Sequence, residues 1–372
     1  MPTLWYSDGP VSARLSPADV MTAAGFDAAA PVEITLGWTV ERHSWLDDPS
    51  FRARTTLAGY ALSRFVDDGR ITALPISLRE VPPLIAAAPP TVGVVPGVLR
   101  GGQLVHTGSL GWADAVARHA ERLVVEVDPG GIDLGAPPIA GNVVAVVNRP
   151  PLSGSTPRPG RPADDIDLAI GATVAALLPD EPTLQFGLGG IAEGIALALN
   201  RPVHIWSGLV TDAIARLHDR RLLLGPVTAA YAWGGQPIAD LFAVGMLDMQ
   251  PVGVTHDLER LTAIPRFVSC NTAVQVALDG SVNLERVGGR TIAARGGHPD
   301  FCEGASLSPG GLSIVALRST AADGSPTIVD DVEVVSTPAH HVNMVVTEHG
   351  VADLRGCDEA ERRRRISAVA TG

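Results

Sequence analysis

Glycines at fixed spacing lie in the stretch "TLQFGLGGIAEGIALAL", which runs from Thr183 to Leu199. A strand-like apolar run leads into Gly187-x-Gly189-x-x-Ala192, and apolar residues then recur with a helical period. Proteins hold the phosphates of a dinucleotide with this order of strand, glycine turn and helix. The stretch therefore raises a dinucleotide-binding oxidoreductase as one hypothesis.

The acid that would bind the ribose of a dinucleotide is missing from its expected place. It normally closes the next strand, yet the strand "VHIW" is followed by Ser207 and Gly208. Asp212 stands at about the expected count of residues but inside the helix that follows. The dinucleotide hypothesis is therefore the weaker one, and the glycines need another explanation.

Three side chains elsewhere have the chemistry of a base or a nucleophile. Glu348, in the run "VVTEHG", is either a general base that acts on water or a carboxylate that fixes its loop by accepting backbone N–H groups. His256 either orients water or substrate or is an exposed histidine at a helix start. Cys302 follows a Gly-Gly turn, and we expect it to be buried and inert.

Composition narrows the classes of chemistry. All 28 basic residues are arginine. This excludes enzymes that need a lysine Schiff base and nucleotide triphosphatases that need a P-loop lysine.

The net charge of −12 argues against a nucleic-acid surface. The three cysteines lack metal-ligand spacing, so we expect reduced thiols, no metal site and a cytoplasmic location. No apolar run approaches the roughly 20 residues that span a bilayer, so we expect no membrane segment.

Strands and helices alternate along the chain, which predicts parallel sheets covered by helices. In the N-terminal half, the strand "EITLGWTV" precedes a predicted helix with Asp48 as its cap and Pro49 at its first position. After Phe267 the pattern turns to β-rich runs. The predicted fold class is α/β, with two open domains, mostly parallel sheets and a β-rich C-terminal part.

A proline-rich stretch divides the chain. Five prolines lie between Pro150 and Pro162, among almost no apolar residues, so this stretch cannot belong to a helix or a sheet interior. We therefore predict an N-terminal domain over residues 1–149, a linker over 150–165 and a C-terminal domain over 166–372. The linker is long enough to wrap a neighbouring domain.

Four pieces of the second half together resemble the acetyl-CoA hydrolase and CoA-transferase family. They are "LQFGLGGIAEGIALAL", "NTAVQVALDGSVN", "RGGHPDFCEGASLSPGGLSIVAL" and "VVTEHGVADLRG". The last two are specific, because their two motifs, Gly-Gly-x-x-Asp-Phe and Thr-Glu-x-Gly-x-Ala-Asp-Leu-Arg-Gly, are hard to obtain together by accident. The resemblance covers most of the chain, with its weight between Pro182 and Gly356.

The resemblance implies two domains of the CoA-transferase fold, a homodimer and an acyl-CoA thioester as substrate. A carboxylate acceptor is one option, and no permanently bound cofactor is expected. The loop with Gly187, Gly189 and Gly190 would contact the acyl or carboxylate group instead of a dinucleotide. The alternative is that these glycines only shape a turn.

The same resemblance suggests roles for three further glycines. Gly296 and Gly297 would let the backbone come close to a ligand. The Gly350 N–H would donate to the thioester oxygen, an oxyanion-hole role. For these glycines too, a purely structural role in turns stays open.

The family's nucleophile is missing from this sequence. Transferases of the family use a glutamate that takes the acyl group as an anhydride and then holds CoA as a thioester. Counting back from Asn271, the corresponding position is Gly253, or Val254 if the register slips by one residue. A second family acid falls on Gly208.

Three hypotheses therefore remain. In the first, water hydrolyses the thioester, with Gly350 as oxyanion donor and Glu348 or His256 as base. In the second, the acceptor carboxylate attacks the thioester directly and no enzyme anhydride forms. In the third, the protein binds acyl-CoA without turning it over.

Overall fold

The structure is a computed structural model that describes residues 1–151 and 160–371. The chain forms two compact units. Met1–Pro157 and Ala229–Val254 make up the first unit, and Arg158–Thr228 and Thr255–Gly372 make up the second. The predicted C-terminal domain, 166–372, thus contains a segment that the structure gives to the first unit. Residues 152–159 of the predicted linker lie outside the described residues.

The N-terminal 151 residues contain eight strands and four α-helices. In chain order these are β1 (Thr3–Tyr6), α1 (Pro17–Ala23), β2 (Glu33–Leu36), β3 (Ala53–Thr55), α2 (Ser63–Asp67), β4 (Ile71–Ala73), α3 (Val81–Ala87), β5 (Val92–Arg100), β6 (Gln103–His106), α4 (Ala113–His119), β7 (Arg122–Val127) and β8 (Val143–Asn148).

The described residues from 160 onward continue the alternation. In chain order the elements are α5 (Asp165–Leu177), β9 (Thr183–Phe186), α6 (Gly190–Ala198), β10 (His204–Val210), α7 (Asp212–Asp219), β11 (Val227–Ala232), α8 (Gln236–Ala243), β12 (Leu247–Met249), α9 (Val252–Thr255), α10 (Leu258–Ala263), β13 (Phe267–Asn271), β14 (Gln275–Ala277), β15 (Val282–Asn283), β16 (Arg286–Val287), β17 (Arg290–Thr291), α11 (His298–Leu307), β18 (Leu312–Ala316), β19 (Ile328–Val329), β20 (Met344–Thr347), β21 (Gly350–Asp353) and α12 (Glu359–Ser367).

The sheet of the first unit has the strand order β4-β3-β2-β1-β5-β7-β8. Neighbouring strands along this path are parallel, and β6 pairs antiparallel with β5. From β1 the chain builds β2, β3 and β4 to one side, and from β5 it builds β7 and β8 to the other. The building direction therefore reverses between β1 and β5, a position where open α/β sheets form a crevice.

Six strands of the second unit repeat this plan in the order β10-β9-β13-β18-β20-β21. All of these pairs are parallel except β20 with β21. The chain leaves β9 toward β10 and leaves β13 toward β18, so the reversal point lies between β9 and β13. The carboxyl ends of these two strands are therefore the expected place for a site.

The C-terminal part adds small sheets. Strands β15, β14 and β19 form a three-stranded sheet, and β16 pairs with β17. Together with the two mostly parallel sheets, this confirms the predicted α/β fold class and its β-rich C-terminal part.

The helix predicted after Asp48 is wrong. Residues 44–47 form a 3-10 helix, residues 53–55 form β3, and an α-helix begins only at Ser63. Strand β3 is parallel to β2 on one side and to β4 on the other. The hydrogen bonds of a strand with neighbours on both sides outweigh the local helical signal.

A cluster of apolar side chains packs α10 and α11 against the second sheet. Its buried members are Leu261, Phe267, Phe301 and Ala305. Burying a leucine or phenylalanine side chain contributes about 1.5–3 kcal/mol. This cluster supports the part of the chain that includes "GGHPDF".

We expect Leu261→Ala to lower the free energy of unfolding by about 2–5 kcal/mol, because Leu261 is fully buried and its removal leaves a cavity. Leu307→Ala is the matched control, since that leucine is 59% exposed, and we expect a change within about 0.5 kcal/mol. Chemical unfolding of both variants measures the difference. Equal losses would contradict the placement of this cluster.

Candidate functional site

The glycine loop lies at the carboxyl end of β9. Phe186 ends the strand and Gly190 begins α6, so residues 187–189 form the turn between them. Gly189 caps the helix with a φ of 99°, a left-handed conformation that favours glycine. The helix has no side-chain cap at this end, so its first N–H groups face the turn.

An amide pair joins β9 to β13 beside this loop. The Gln185 side-chain amide donates to Asn271 Oδ1 at 3.0 Å, and the Asn271 amide donates back to Gln185 Oε1 at 2.8 Å. A Cβ atom on Gly187 would lie 3.6 Å from Asn271 Oδ1. The "NTA" run and the glycine loop are therefore neighbours at the point where β9 and β13 diverge.

A cavity of about 590 Å³ opens at these strand ends, and we call it the glycine-loop cavity. It lies within the size range of small-molecule sites. The described residues that line it come from α5 and the segment before it, the glycine loop with the start of α6, and the turns after β13 and β18. They are Arg161, Ile166, Asp167, Leu188, Gly189, Gly190, Ile191, Thr272, Ala273, Val274, Leu317, Arg318, Thr320, Ala321, Ala322 and Thr327.

Paired charges form one wall of this cavity. Asp167 is 1% exposed and lies 2.6 Å from Arg161 Nη2 and 2.8 Å from Arg318 Nη2. Arg318 also bonds Asp164 and holds the pKa of that carboxyl at about 2. A Cβ atom on Gly190 would lie 2.0 Å from Asp167 Oδ2, so this glycine is needed for the approach of the carboxylate. Two arginines and two aspartates leave this wall without formal net charge.

Glu348 binds the loop that carries Ser319 and Thr320, next to the glycine-loop cavity. Its carboxylate accepts the Ser319 N–H at 2.9 Å and the Ser319 hydroxyl at 2.8 Å. Partial burial acts to raise the pKa of Glu348, but the hydrogen bonds from the backbone and Ser319 lower it below the ordinary value. Thr320, the next residue, lines the cavity. This geometry is that of a carboxylate that fixes a loop.

Gly350 begins β21 and pairs with Thr347 in the hairpin. Its φ is 143°, and a Cβ atom there would lie 3.7 Å from Val369. The backbone conformation, more than the space, therefore favours glycine at this position. Gly350 and Glu348 are not among the described residues that line the glycine-loop cavity.

His256 is buried, so its interpretation as an exposed helix-start histidine is wrong. Its ring packs on Phe301 with centroids 4.5 Å apart, and its Nδ1 lies 2.8 Å from the Thr255 hydroxyl. Burial lowers the pKa of His256 to about 3, so the ring is neutral near neutral pH. The described residues that line the glycine-loop cavity do not include it.

The predicted Gly-Gly turn packs against His256. A Cβ atom on Gly297 would lie 2.2 Å from His256 Nε2, so no larger residue can stand there. Gly296 has a φ of 54° and open space beside it. Cys302, one turn into the following helix, is buried, and burial raises its pKa to about 12. That thiol has the environment expected of an inert cysteine.

Position 208, at which the resemblance implies a second acid, leaves little room for a side chain. A Cβ atom on Gly208 would lie 3.1 Å from Phe301 Cε2 and 3.2 Å from His256 Nε2. Both distances are shorter than ordinary van der Waals contact. A side chain at position 208 would therefore require the rings of His256 and Phe301 to shift by a few tenths of an ångström.

Gly253 lies in helix α9 and belongs to the first unit. It is not among the glycines with positive φ, and a Cβ atom there would lie 3.9 Å from Pro82, an ordinary contact. The backbone at position 253 thus accepts a side chain. Val254 is the next residue of the same helix.

Sequence reasoning missed the residues that organise the cavity. Gln185 and Asn271 are separated by 86 positions, so nothing local signals their pairing. Asp164 and Asp167 form a capping box at the start of α5, and their spacing in "ADDIDLAI" is a readable signal for that helix start. Their contacts with Arg318 depend on the fold.

Comparisons with known proteins address the predicted resemblance. Residues 243–372 match the family profile described as acetyl-CoA hydrolase/transferase C-terminal domain. The 4-hydroxybutyrate coenzyme A transferase of Clostridium kluyveri is 31% identical over 221 residues, which are 55% of this chain and 52% of that protein. The acetyl-CoA hydrolase of Saccharomyces cerevisiae is 27% identical over 56% of this chain and 43% of its own length.

The C-terminal part of this chain is therefore similar to an acetyl-CoA hydrolase/transferase C-terminal domain. The resemblance predicted from the sequence is thereby confirmed. The crystal structure of 4-hydroxybutyrate CoA-transferase from Porphyromonas gingivalis superposes with a TM-score of 0.73 at 23% identity, over the whole of this chain and 90% of that one. This likeness shows the fold. The chain spans about half the length of the first curated relatives it matches.

Within residues 1–151 and 160–371, no group of three or more His, Cys, Asp or Glu side chains is arranged to hold a metal ion. None of the helices in the described part of the chain combines the length and the apolar character that a bilayer crossing requires.

We expect His256 to make stability depend on acid. The unfolded chain binds a proton at this histidine near pH 6.5, whereas the folded chain binds it only near pH 3. Protonation therefore favours the unfolded state between these values, and the free energy of unfolding falls as the pH falls from 6.5 toward 3.

Chemical unfolding at several pH values tests this. His256→Gln should reduce the slope of unfolding free energy against pH, by up to about 1.4 kcal/mol per pH unit. His204→Gln is the control, since it makes the same change at an exposed histidine. An unchanged slope in His256→Gln would contradict the burial of a neutral ring.

Proposed function

We propose that this protein processes an acyl-CoA thioester without forming a glutamyl-CoA intermediate. The observation that carries the proposal is the pair of positions 253 and 208. The family resemblance implies a nucleophilic glutamate at position 253, where this chain has glycine. At Gly208, where it implies a second acid, a Cβ atom would lie 3.1 Å from Phe301 and 3.2 Å from His256. Matches to CoA-transferases and acetyl-CoA hydrolases support acyl-CoA as the substrate class.

In this proposal the acyl group binds at the glycine-loop cavity, beside Gly187, Gly189 and Gly190. The Gly350 N–H donates to the thioester oxygen, and Gly296 and Gly297 shape the backbone near the substrate. Removing an oxyanion donor of this type typically raises a barrier by about 3–4 kcal/mol. The cavity's size and its place at the reversal point between β9 and β13 support the first of these roles.

Direct attack by an acceptor carboxylate is the better-supported route. The carboxylate oxygen bonds to the thioester carbonyl carbon and the C–S bond breaks, which gives a mixed anhydride and CoA thiolate. The thiolate then attacks the acceptor-derived carbonyl and releases the original acid. No proton has to be removed from the nucleophile in either step.

Hydrolysis, in contrast, requires a base for water. Low basicity weakens both candidates, because burial lowers the pKa of His256 to about 3 and hydrogen bonds hold that of Glu348 below its ordinary value. General bases work best with a pKa near the operating pH. Hydrolysis therefore remains the second candidate, followed by a homologue that binds acyl-CoA without turnover.

Steady-state kinetics with an acyl-CoA panel separates these reactions. Direct transfer requires a carboxylate acceptor and gives a ternary-complex pattern, whereas hydrolysis proceeds without an acceptor. A binding homologue shows calorimetric affinity for CoA and no turnover. We expect weak NAD binding, and tight NAD binding would overturn the proposal.

No covalent glutamyl adduct should form. After incubation with acetyl-CoA, treatment with hydroxylamine or borohydride should leave no modified glutamate in the segment Gln250 to Glu259, whose one glutamate is Glu259; mass spectrometry measures this. A trapped glutamyl adduct at any position would refute the non-covalent route.

Gly253→Glu should introduce some covalent transferase activity, because well-placed nucleophiles gain roughly 7–11 kcal/mol from proximity. The backbone at 253 accepts a side chain, so the variant should fold, as a circular-dichroism melt checks. Val254→Glu is the matched control for register. Absence of adduct in both folded variants would show that other residues of the site, besides the one at the nucleophile position, differ from those a covalent transferase needs.

Glu348→Gln should lower kcat/KM about tenfold and leave the pH profile unchanged, since Glu348 positions the Ser319 loop in this proposal. Ser319→Ala, which removes the partner hydroxyl, should cause a loss of similar size. If Glu348→Gln alone abolishes turnover and removes an acidic limb from the profile, Glu348 is the base and hydrolysis gains support.

A homodimer and a cytoplasmic location belong to the proposal as well. Both rest on the resemblance and on composition. Light scattering at micromolar concentration measures the first, and a monomer would contradict it.

A further inference from the structure

A guanidinium with one free nitrogen lies in the wall of the glycine-loop cavity. Arg318, in the turn after β18, lines this cavity, and its side chain is 27% exposed. Its Nε donates to Asp167 Oδ1 at 3.1 Å, and its Nη2 donates to the same oxygen at 2.8 Å and to Asp164. Its Nη1 has no hydrogen-bond partner among the described residues and is not fully enclosed. Two N–H groups of Arg318 are therefore open to a ligand.

The two aspartates fix the orientation of this guanidinium. Asp167 is 1% exposed, and its other oxygen, Oδ2, lies 2.6 Å from Arg161 Nη2 and accepts the Asp164 N–H at 3.2 Å. The hydrogen bond to Asp164 raises the pKa of Arg318 above its ordinary value, so this side chain stays a cation. A charged donor that is already held in one orientation loses little conformational freedom when a ligand binds.

The charged groups that line this wall leave a donor free and no acceptor. Asp167, the carboxylate of the lining, has two hydrogen-bonding contacts at each oxygen, whereas Arg318 keeps Nη1. Thr272 and Thr320 are exposed residues of the same lining, and their hydroxyl groups can donate as well. Because the charges of the two arginines and two aspartates cancel, the wall as a whole does not repel an anion. A carboxylate fits such donors best, since it only accepts and its bonds to a guanidinium are strong.

We propose that Arg318 binds a carboxylate in the glycine-loop cavity through its Nη1. This assignment rests on the proposed function, in which an acceptor carboxylate attacks an acyl group that is bound in the same cavity. Two sources supply this chemistry. One is the free acid that accepts the acyl group, and the other is a second carboxylate at the far end of the acyl group itself.

Ligand-observed NMR titration of the full chain with butyrate and butyramide measures the carboxylate site without any need for turnover. The two probes have nearly the same shape, but only butyrate carries a charged acceptor. We expect the original protein to bind butyrate at least about tenfold more tightly than butyramide. Equal affinity for the two probes overturns the proposal, whatever the behaviour of any variant.

Arg318→Lys keeps a cation beside Asp167 but removes the Nη1 donors. We expect this variant to bind butyrate about tenfold more weakly and butyramide with unchanged affinity. Arg216→Lys is the control, because it makes the same substitution at the ion pair with Glu193, outside the described lining of the cavity. A circular-dichroism melt checks that Arg318→Lys folds. Undiminished butyrate affinity in the folded variant refutes the role of Arg318.

Calorimetry with butyryl-CoA and succinyl-CoA separates the two sources of the carboxylate. If the carboxylate belongs to the acyl group, Arg318→Lys should bind succinyl-CoA about tenfold more weakly and butyryl-CoA with unchanged affinity. If it belongs to the acceptor, both affinities should stay unchanged, and KM for the free acid should rise about tenfold in the transfer reaction.

The outcomes also separate this proposal from the proposed function. Transfer from acyl-CoA by a protein that binds butyrate and butyramide equally refutes the carboxylate site and leaves the proposed function standing. Preference for butyrate that depends on Arg318, in a protein that neither binds nor turns over acyl-CoA, supports the carboxylate site and refutes the proposed function.

Discussion

The paired amides of Gln185 and Asn271 hold together the two strands on which the second unit is organised. Strands β9 and β13 are parallel neighbours, yet the chain leaves them in opposite directions, so their loops part at the carboxyl edge. Such a parting opens a crevice at the strand ends. The two reciprocal hydrogen bonds join the strands just before they part, with polar groups that satisfy each other.

The other walls of the glycine-loop cavity depend on how the loops after β9 and β13 separate. The turn after β9 can approach α5 because Gly190 lets the buried Asp167 carboxylate come close, and Asp167 in turn binds two arginines from different loops. Breaking a buried pair by removing one partner typically costs about 3–5 kcal/mol. The wall of the cavity is thus polar, internally neutral and held by groups that tolerate little change.

Local patterns predicted the parts of this fold that depend on local chemistry. The apolar run of β9, the glycine turn and the helical period of α6 lie within 17 consecutive residues, and the structure has them in that order. The failures concern contacts between distant residues. Strand β3 forms because it pairs with β2 and β4. His256 is buried because two glycines distant in sequence, Gly208 and Gly297, leave space for its ring. No local pattern in a single sequence predicts the space that distant residues leave for a side chain.

The packing of His256 also bears on how this chain can change. A side chain introduced at position 208 would begin 3.1 Å from Phe301 and 3.2 Å from His256, so both rings would have to shift. A smaller residue at 256 introduced first would leave a void against Phe301. Either single step is unfavourable, although the two together would be compatible. The two positions are therefore epistatic, because the effect of an acid at position 208 depends on which residue stands at position 256.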